Sequence, residues 1–505
     1  MNSRTLDRAT AVVGRMTMYR LVLWSLGGLA ALSLVFSLIG WIDYTPAAIV
    51  VCWLTPLVTS YATNRLMAGI HGVVPHSESS LITAYLIFFI FPPSTELVAV
   101  LAIGLAALLA SASKYLLAVR GRHVFNPAAA GAFLVTLCGV YYSGWWVGTT
   151  ALVPFALVAA VAILHRTRRL PMAAVFLAVA GGIMVLRSLI AGVPLGTALL
   201  WPIISSPMVF FAGFMLSEPL TQPPRRWQQF LMAAVVGVVF STPLHIGAIY
   251  AAPESALLIG NLLAFFFGQR KGIELTLRTR RQLTPSTVEF SFHPARNVSF
   301  RAGQYLEITL PHRGSDDRGL RRVFSISSAP SDGGSVAIST RIPQDPSTFK
   351  RALDALQVGS AVGVTTVAGD FLLPADPAVP VLLVAGGIGI TPFASQLAER
   401  IDADTRDVVV VYSVTGVDEI GYRDVLERSG ARVVIVSPEP ITDLPDGWEN
   451  HSARRVDRAL LAEAVPDIVT RQVLVSGPPG MVEGVGSAAR RLHAAGVRTD
   501  YFSGY

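Results

Sequence analysis

The sequence predicts three parts in series. A polytopic α-helical membrane domain of about ten spans occupies residues 1–270, an antiparallel β-barrel 271–376, and an α/β domain with a parallel sheet 377–505. Three observations carry this. Charge is split unevenly: of 40 Lys+Arg and 33 Asp+Glu, 14 and 6 fall up to Gly268, and 26 and 27 from Gln269 onward. The first part consists of apolar runs whose connecting loops alternate between basic and free of Lys and Arg. After Lys271 the texture changes to short alternating segments and then to strand–helix alternation.

The chain is 52% hydrophobic and only 14% charged, against about 25% charged for a soluble globular protein. That excludes a disordered, collagen-like or disulfide-stapled chain. The net charge of +7 belongs to membrane loops and not to a nucleic-acid surface, because the second part is nearly balanced. Cys52 and Cys138 both lie in apolar stretches, so no disulfide framework and no four-cysteine cluster is expected. The first apolar run begins near Leu21 behind Arg4, Arg8, Arg15 and Arg20 and reads as an uncleaved anchor.

The apolar runs fall at about 21–42, 46–62, 80–92, 95–111, 127–142, 150–165, 171–192, 196–216, 228–245 and 255–268. Arg65, then Lys114, Arg120 and Arg122, then Arg166, Arg168 and Arg169, then Arg225 and Arg226, then Arg270 and Lys271 mark every second loop. This places a multi-pass protein in the cytoplasmic membrane, among its lipids, with both termini cytoplasmic. Two Pro-rich turns, Phe91-Pro-Pro-Ser-Thr95 and Ser217-Glu-Pro-Leu-Thr-Gln-Pro-Pro224, stand five spans apart on opposite faces. They read either as an inverted repeat with a site between its halves or as ordinary helix ends. Arg187, inside the seventh run, is either functional or snorkels to the nearer interface.

Phe125-Asn-Pro-Ala-Ala-Ala-Gly131 opens the fifth run with an Asn cap and Pro in the first turn. Together with Gly148-Thr-Thr150, Ser217-Glu-Pro-Leu-Thr221 and Asn261-Leu262, in that order, it makes residues 20–270 resemble the NqrB/RnfD family of membrane flavoprotein subunits. The resemblance implies FMN or another flavin in this domain, with Asn126, Thr150 and Glu218 at its sites. Family members esterify FMN to a Thr in a Ser-Gly-Ala-Thr stretch. Here the stretch is Val147-Gly-Thr-Thr150, so covalent attachment stays open. Glu218-Pro219 stands for the family's Asp-Pro and keeps the carboxylate.

In the second part, Ile273-Glu-Leu-Thr-Leu and Val288-Glu-Phe-Ser-Phe alternate as strands do, and short strands continue to about Pro374. Val379-Pro-Val-Leu-Leu-Val-Ala385 is a buried strand that runs into Gly386-Gly-Ile-Gly-Ile-Thr-Pro-Phe393. Arg322-Val-Phe-Ser325, Pro346-Ser-Thr-Phe349, Gly369-Asp-Phe371, the glycine turn and Ser476-Gly-Pro-Pro-Gly-Met481 follow the order of the ferredoxin–NADP reductase superfamily, which this part resembles.

The resemblance implies FAD and NAD(P)H. Arg322 clamps the flavin pyrophosphate, Phe324 faces the isoalloxazine and Ser325 reaches its N5 edge. Ser347 and Thr348 open a helix toward the pyrophosphate. Gly386, Gly387, Gly389 and Thr391 form the dinucleotide turn. Ser476, Gly477 and Pro478 lie at the nicotinamide, Ser476 in place of the family's Cys, and Phe502 covers the flavin. Ser325, Ser476 and Phe502 are the candidate catalytic residues. The acidic pair Asp418-Glu419 after strand 408–412 favours NADH over NADPH.

The expected function is a membrane-bound NAD(P)H:acceptor oxidoreductase. Electrons pass from cytoplasmic NADH through FAD to a flavin in the membrane domain, then to a quinone or to an extracytoplasmic or membrane redox partner protein. Two other readings are a transmembrane haem reductase and a redox-driven ion transporter. The haem reading lacks the two histidine pairs that it needs inside spans, since the nine histidines do not pair there. No bound metal is expected.

Overall fold

The computed structural model describes residues 18–501 except 73, 74, 76, 120, 121, 168, 244, 247, 248, 251, 270, 271, 313–319, 333 and 401–405. The chain divides into two compact units, Met1–Arg270 and Lys271–Tyr505.

In the first unit a helical segment lies at each predicted apolar run. In chain order these are α1 (Met18–Leu38), α2 (Pro46–Ile70), α3 (Ser77–Ile90), α4 (Leu97–Leu116), α5 (Pro127–Leu137), α6 (Val153–Arg166), α7 (Leu170–Ile190), α8 (Leu195–Ile204), α9 (Met208–Met215), α10 (Arg226–Ser241) and α11 (Pro253–Ala264). Among the described residues four helices, α1, α2, α4 and α7, are long and apolar enough to cross a membrane, and the bent pair α8–α9 makes a fifth. The others fall short of the roughly 20 residues that a span needs. The fifth helix shows why: Pro127 sets its start, Cys138 ends it and Gly139 turns the chain at φ +68°.

The packing repeats itself. In the first half α2 packs on α3 and α4, α4 on α5, and α1 on α3. In the second half α7 packs on α8 and α10, α10 on α11, and α6 on α9. The halves meet through α1–α6 and α5–α11. Small residues allow close approach: a Cβ on Gly131 of α5 would stand 2.3 Å from the Ala106 carbonyl oxygen of α4. Large apolar side chains such as Leu26, Phe88, Phe89, Phe176 and Phe211 fill the interior. Trp24, Leu38, Val58, Leu97, Val158 and Ile190 are exposed on helix surfaces.

The second unit begins with a six-stranded antiparallel sheet. Its strands are β1 (Ile273–Thr284), β2 (Thr287–Pro294), β3 (Tyr305–Thr309), β4 (Arg321–Ser325), β5 (Val336–Arg341) and β6 (Ala361–Ala368), in spatial order β4-β3-β6-β1-β2-β5. An antiparallel bridge between Ile326 and Ile338 joins its two ends, so the sheet closes on a core of Phe290, Phe292, Ile308, Ile338 and Phe349. The helix α12 (Thr348–Asp354) plugs that barrel with Phe349 and Leu353, both fully buried.

A parallel sheet follows: β7 (Val381–Gly386), β8 (Val408–Ser413), β9 (Arg432–Ser437), β10 (Glu449–Ser452), β11 (Gln472–Gly477) and β12 (Gly496–Tyr501), in order β10-β9-β8-β7-β11-β12. The helices α13 (Thr391–Arg400), α14 (Arg423–Arg428), α15 (Arg458–Ala464) and α16 (Pro479–Arg491) connect it. Strand β7 is buried on both faces, as an unbroken apolar run requires. Val381 and Leu383 enter one core, and Leu382 and Val384 the other. Strand order reverses between β7 and β11, which makes their C-terminal ends the switch point where ligands enter sheets of this kind.

Candidate functional site

The switch point is built from two tight turns that cross. Strand β7 ends in a short 3-10 turn, Gly387–Ile390, which leads into α13. Strand β11 ends at Gly477, and Pro478 caps α16. A Cβ on Gly386 would meet the Met481 Sδ at 2.3 Å, and one on Gly389 would meet the Ser476 carbonyl oxygen at 2.2 Å. These two glycines let the turns touch. Gly387 has a different role. Its φ is +52°, and a Cβ there would meet nothing within 4 Å. Its backbone therefore lies open to a cavity of about 950 Å³ lined by Gly386, Gly387, Ser413, Thr415, Pro478 and Met481 among others. A phosphate can approach the backbone N–H groups of such a turn closely.

Thr391 is turned away from that cavity. It is 1% exposed, and its hydroxyl donates to the Ile388 carbonyl, so it braces the turn. Ser476 is fully buried, and its Oγ has no hydrogen-bond partner among the described residues. An orphaned hydroxyl at a switch point is costly unless a ligand completes it, so this residue fits a site that a dinucleotide closes.

The barrel gathers a second set. Arg322 is 8% exposed, and its guanidinium lies 5.1 Å from the centre of the Phe349 ring. Phe324 packs on the same ring at 5.9 Å, tilted by 30°, and is itself 7% exposed. Ser325 is buried at the end of β4. Ser347 caps α12 by accepting from the Lys350 N–H. Thr348 meets His312: the His312 Nδ1 donates to the Leu310 carbonyl, and its Nε2 lies 3.1 Å from the Thr348 hydroxyl. Arg322, Phe324, Ser347 and Thr348 thus converge on one helix, and this cationic, capped corner fits a flavin pyrophosphate. His312 joins them unannounced by the sequence. Phe502 lies outside the described residues.

Two carboxylates tie the barrel to the parallel sheet. Glu289 on β2 accepts from the Tyr422 hydroxyl at 2.9 Å, from Ser327 at 3.1 Å and from Arg281 at 3.0 Å. Tyr422 is also hydrogen-bonded to Ser339. Burial first, and then the charge of Glu289, hold its phenol well above the usual range. Glu419 accepts from Thr284 at 3.1 Å and Ser286 at 2.7 Å. The sequence assigns Glu419 to nucleotide discrimination, whereas here its Oε2 is held by the β1–β2 hairpin.

In the helical unit three expected residues take different places. Asn126 caps α5 by accepting from the Ala129 N–H; its own N–H donates to Asn261 at 2.7 Å and its Nδ2 to Glu218 at 2.7 Å. Glu218 also pairs with His123 at 2.9 Å. Asn126, Glu218, His123 and Asn261 form one polar cluster, in which the fully buried Asn261 Nδ2 has no partner among the described residues. Thr150 is exposed and is not among the residues hydrogen-bonded in that cluster.

A further buried group was missed by sequence reading. Glu254, 1% exposed in the first turn of α11, accepts from Ser143 at 2.6 Å and from the Trp145 indole at 2.8 Å. An acid at the start of the apolar run 255–268 was the available signal. Among the described residues no group of three or more His, Cys, Asp or Glu is placed to hold a metal.

Residues 383–487 match the family described as the oxidoreductase NAD-binding domain. The chain is 29% identical over 233 residues to the stachydrine N-demethylase reductase subunit of Rhizobium meliloti, covering 45% of this chain and 64% of that protein. It is 28% identical over 241 residues to the toluate 1,2-dioxygenase electron transfer component of Pseudomonas putida, covering 46% and 67%. This chain therefore spans about two thirds of the length of these relatives. Among solved structures, the FAD/NAD-binding domain of nitric oxide dioxygenase from Vibrio cholerae aligns at 21% identity and a TM-score of 0.40, covering 46% of this chain and 99% of that one. The second unit is similar to these reductases, and its residues 383–487 match an oxidoreductase NAD-binding domain. It is a flavin-dependent oxidoreductase unit.

Proposed function

We propose that this chain is a membrane-bound NAD(P)H oxidoreductase. The nicotinamide nucleotide is oxidised in Lys271–Tyr505, and the electrons leave through a redox centre in the helical unit toward a quinone or a redox partner protein. The observation that carries the reading is the nucleotide cavity at the β7–β11 switch point, with Gly387 open to it, and at the end of β11 the buried Ser476 hydroxyl without a partner among the described residues. Bound FAD supplies the conversion of a two-electron hydride into single electrons. The chain's own residues do the rest. Gly387 and its turn receive the phosphates, Ser476 completes its hydrogen bonding on the nicotinamide side, and Arg322 with the Ser347-capped helix holds the flavin pyrophosphate. Phe502 belongs to this proposal as the cover of the flavin.

The two reductase relatives are named as a subunit and a component of larger systems. That supports a redox partner for this chain too. The four to five helices able to cross a membrane support attachment to lipid, and the repeated packing of the two helical halves supports the ten-run, inverted-repeat reading. In the NqrB/RnfD-like reading, a flavin in the helical unit would draw on Asn126, Glu218 and the unfilled Asn261 Nδ2, or attach at the exposed Thr150.

The test is anaerobic mixing of the FAD-loaded full chain with NADH or NADPH, followed by the bleaching of the flavin band. The reading expects stoichiometric bleaching, slowed in Ser476→Val. A flavin band that neither nucleotide bleaches would refute it.

A further inference from the structure

The far end of the nucleotide cavity has a charge pattern that the function above does not use. Beyond the C-terminal ends of β8 and β9 its wall carries Arg454, Arg455 and Arg458, and α16 adds Arg491. All four are exposed, and none has an ion pair or hydrogen bond among the described residues. Some arginines of this unit are committed, Arg471 to Asp407 and Asp467, Arg432 to Glu449 and Arg281 to Glu289, whereas Arg341, which also lines the cavity, makes no ion pair among the described residues. Four uncommitted guanidinium groups around one cavity repel one another unless an anion fills it.

Position tells which anion. The pyrophosphate belongs at the Gly387 turn on β7. The segment carrying Arg454 and Arg455 follows the edge strand β10, three strands away, which is about 14 Å at the usual spacing. That is the distance scale of the adenosine end of a dinucleotide. Enzymes that select NADH place a carboxylate at the end of the second strand to hold the ribose 2′-hydroxyl, and those that select NADPH place arginine near a 2′-phosphate. Here β8 ends at Ser413 and is followed by Val414 and Thr415. Asp418 does not line the cavity, and Glu419 is anchored to Thr284 and Ser286. Asp457, the remaining acid of the wall, caps α15 through the Leu460 N–H.

We infer that the Arg454–Arg455 end of the cavity binds the 2′-phosphate of an adenosine, so that the chain selects NADPH. This departs from the preference for NADH that Asp418-Glu419 suggests in the sequence, and it rests on the nucleotide-binding reading of this cavity.

The test is equilibrium binding of 2′,5′-ADP and of 5′-AMP to the FAD-loaded full chain in detergent, with NADPH and NADH turnover measured in parallel. Charge-assisted contacts to one extra phosphate predict that 2′,5′-ADP binds about 10–100-fold more tightly. The Arg454→Ala/Arg455→Ala double variant brings the ratio of the two affinities toward one, and Thr415→Asp moves turnover toward NADH. Equal binding of the two probes, or a preference that survives in the double variant, overturns the inference while leaving the nucleotide site standing. Failure of both probes to bind overturns the inference and the nucleotide-binding reading together.

Discussion

The crossing of the two turns makes a sharp prediction about two glycines that sit two residues apart. Replacing Gly389 by Ala puts a methyl 2.2 Å from the Ser476 carbonyl oxygen and 2.7 Å from the Gly477 Cα. Both obstacles are backbone, so neither can rotate aside, and the β7 and β11 turns must part. Overpacking of this kind costs about 1–3 kcal/mol. At about 2–4 °C per kcal/mol for a unit of this size, the thermal midpoint drops by roughly 2–12 °C. Replacing Gly387 by Ala meets no atom but must keep φ at +52°. The left-handed conformation costs about 1–2 kcal/mol, and the stiffer unfolded chain returns about 0.4–1 kcal/mol. The net loss is on the order of 1 kcal/mol, yet the new methyl projects into the nucleotide cavity. The assay is thermal release of flavin fluorescence paired with an NADPH titration of each variant. Gly389→Ala should lose more stability, and Gly387→Ala should lose nucleotide affinity with little loss of stability. A Gly389→Ala protein as stable as the parent, or a Gly387→Ala protein with unchanged affinity, would refute the crossed-turn geometry.

Tyr422→Phe removes the hydroxyl shared by Glu289 and Ser339, which should cost about 1–3 kcal/mol in chemical denaturation and weaken the hold between the barrel and the parallel sheet. The pH profile has two limits. Hydrogen bonds from Arg471 and Arg432 hold the Asp467 and Glu449 carboxyls below their usual values, so their stabilisation is present above the unfolded-state pKa and is lost as pH falls through the folded one. Both acids are partly exposed, so the acid loss seen in a melting series should be small. The Tyr422 phenol is raised, so its contribution is complete below the ordinary phenol pKa of about 10 and is lost as pH climbs above it, seen as a fall in melting temperature that Tyr422→Phe abolishes. In the helical unit, Asn126→Ala removes a helix cap and the contacts to Glu218 and Asn261, costing about 0.5–2 kcal/mol for the cap alone. Asn126→Asp keeps the cap but sets a carboxylate against Glu218, and should melt lower than the parent in detergent.

Local chemistry made much of this molecule readable. The run Val379–Ala385 has to be a strand buried on both faces, and the glycines after it announce a tight turn, so the dinucleotide turn could be placed from the sequence, while the switch point needed the strand order. Pro127 and Asn126 fixed a helix start in the same way. Ser347 likewise caps the helix that the sequence placed there. What the sequence did not show depended on partners distant in the chain. Glu419 looks free to meet a ribose until Thr284 and Ser286, some 133–135 residues away, are seen to hold it. His123 carries no signal of Glu218, nor Glu254 of Trp145, because each pair joins residues about a hundred positions apart in the chain. Hydropathy located the helical segments but not their lengths, since a run such as 127–142 stays apolar beyond the point where Cys138 and Gly139 end the helix.

The most direct test of the central claim counts redox centres in the intact protein. The full chain, purified in lipid nanodiscs and loaded with FAD, is titrated anaerobically with NADPH, and its flavin is quantified before and after acid precipitation. The account predicts more than one reducible flavin equivalent per chain, with the excess diminished in Glu218→Ala or Thr150→Ala. A single equivalent, released entirely by acid and untouched by either substitution, would contradict it.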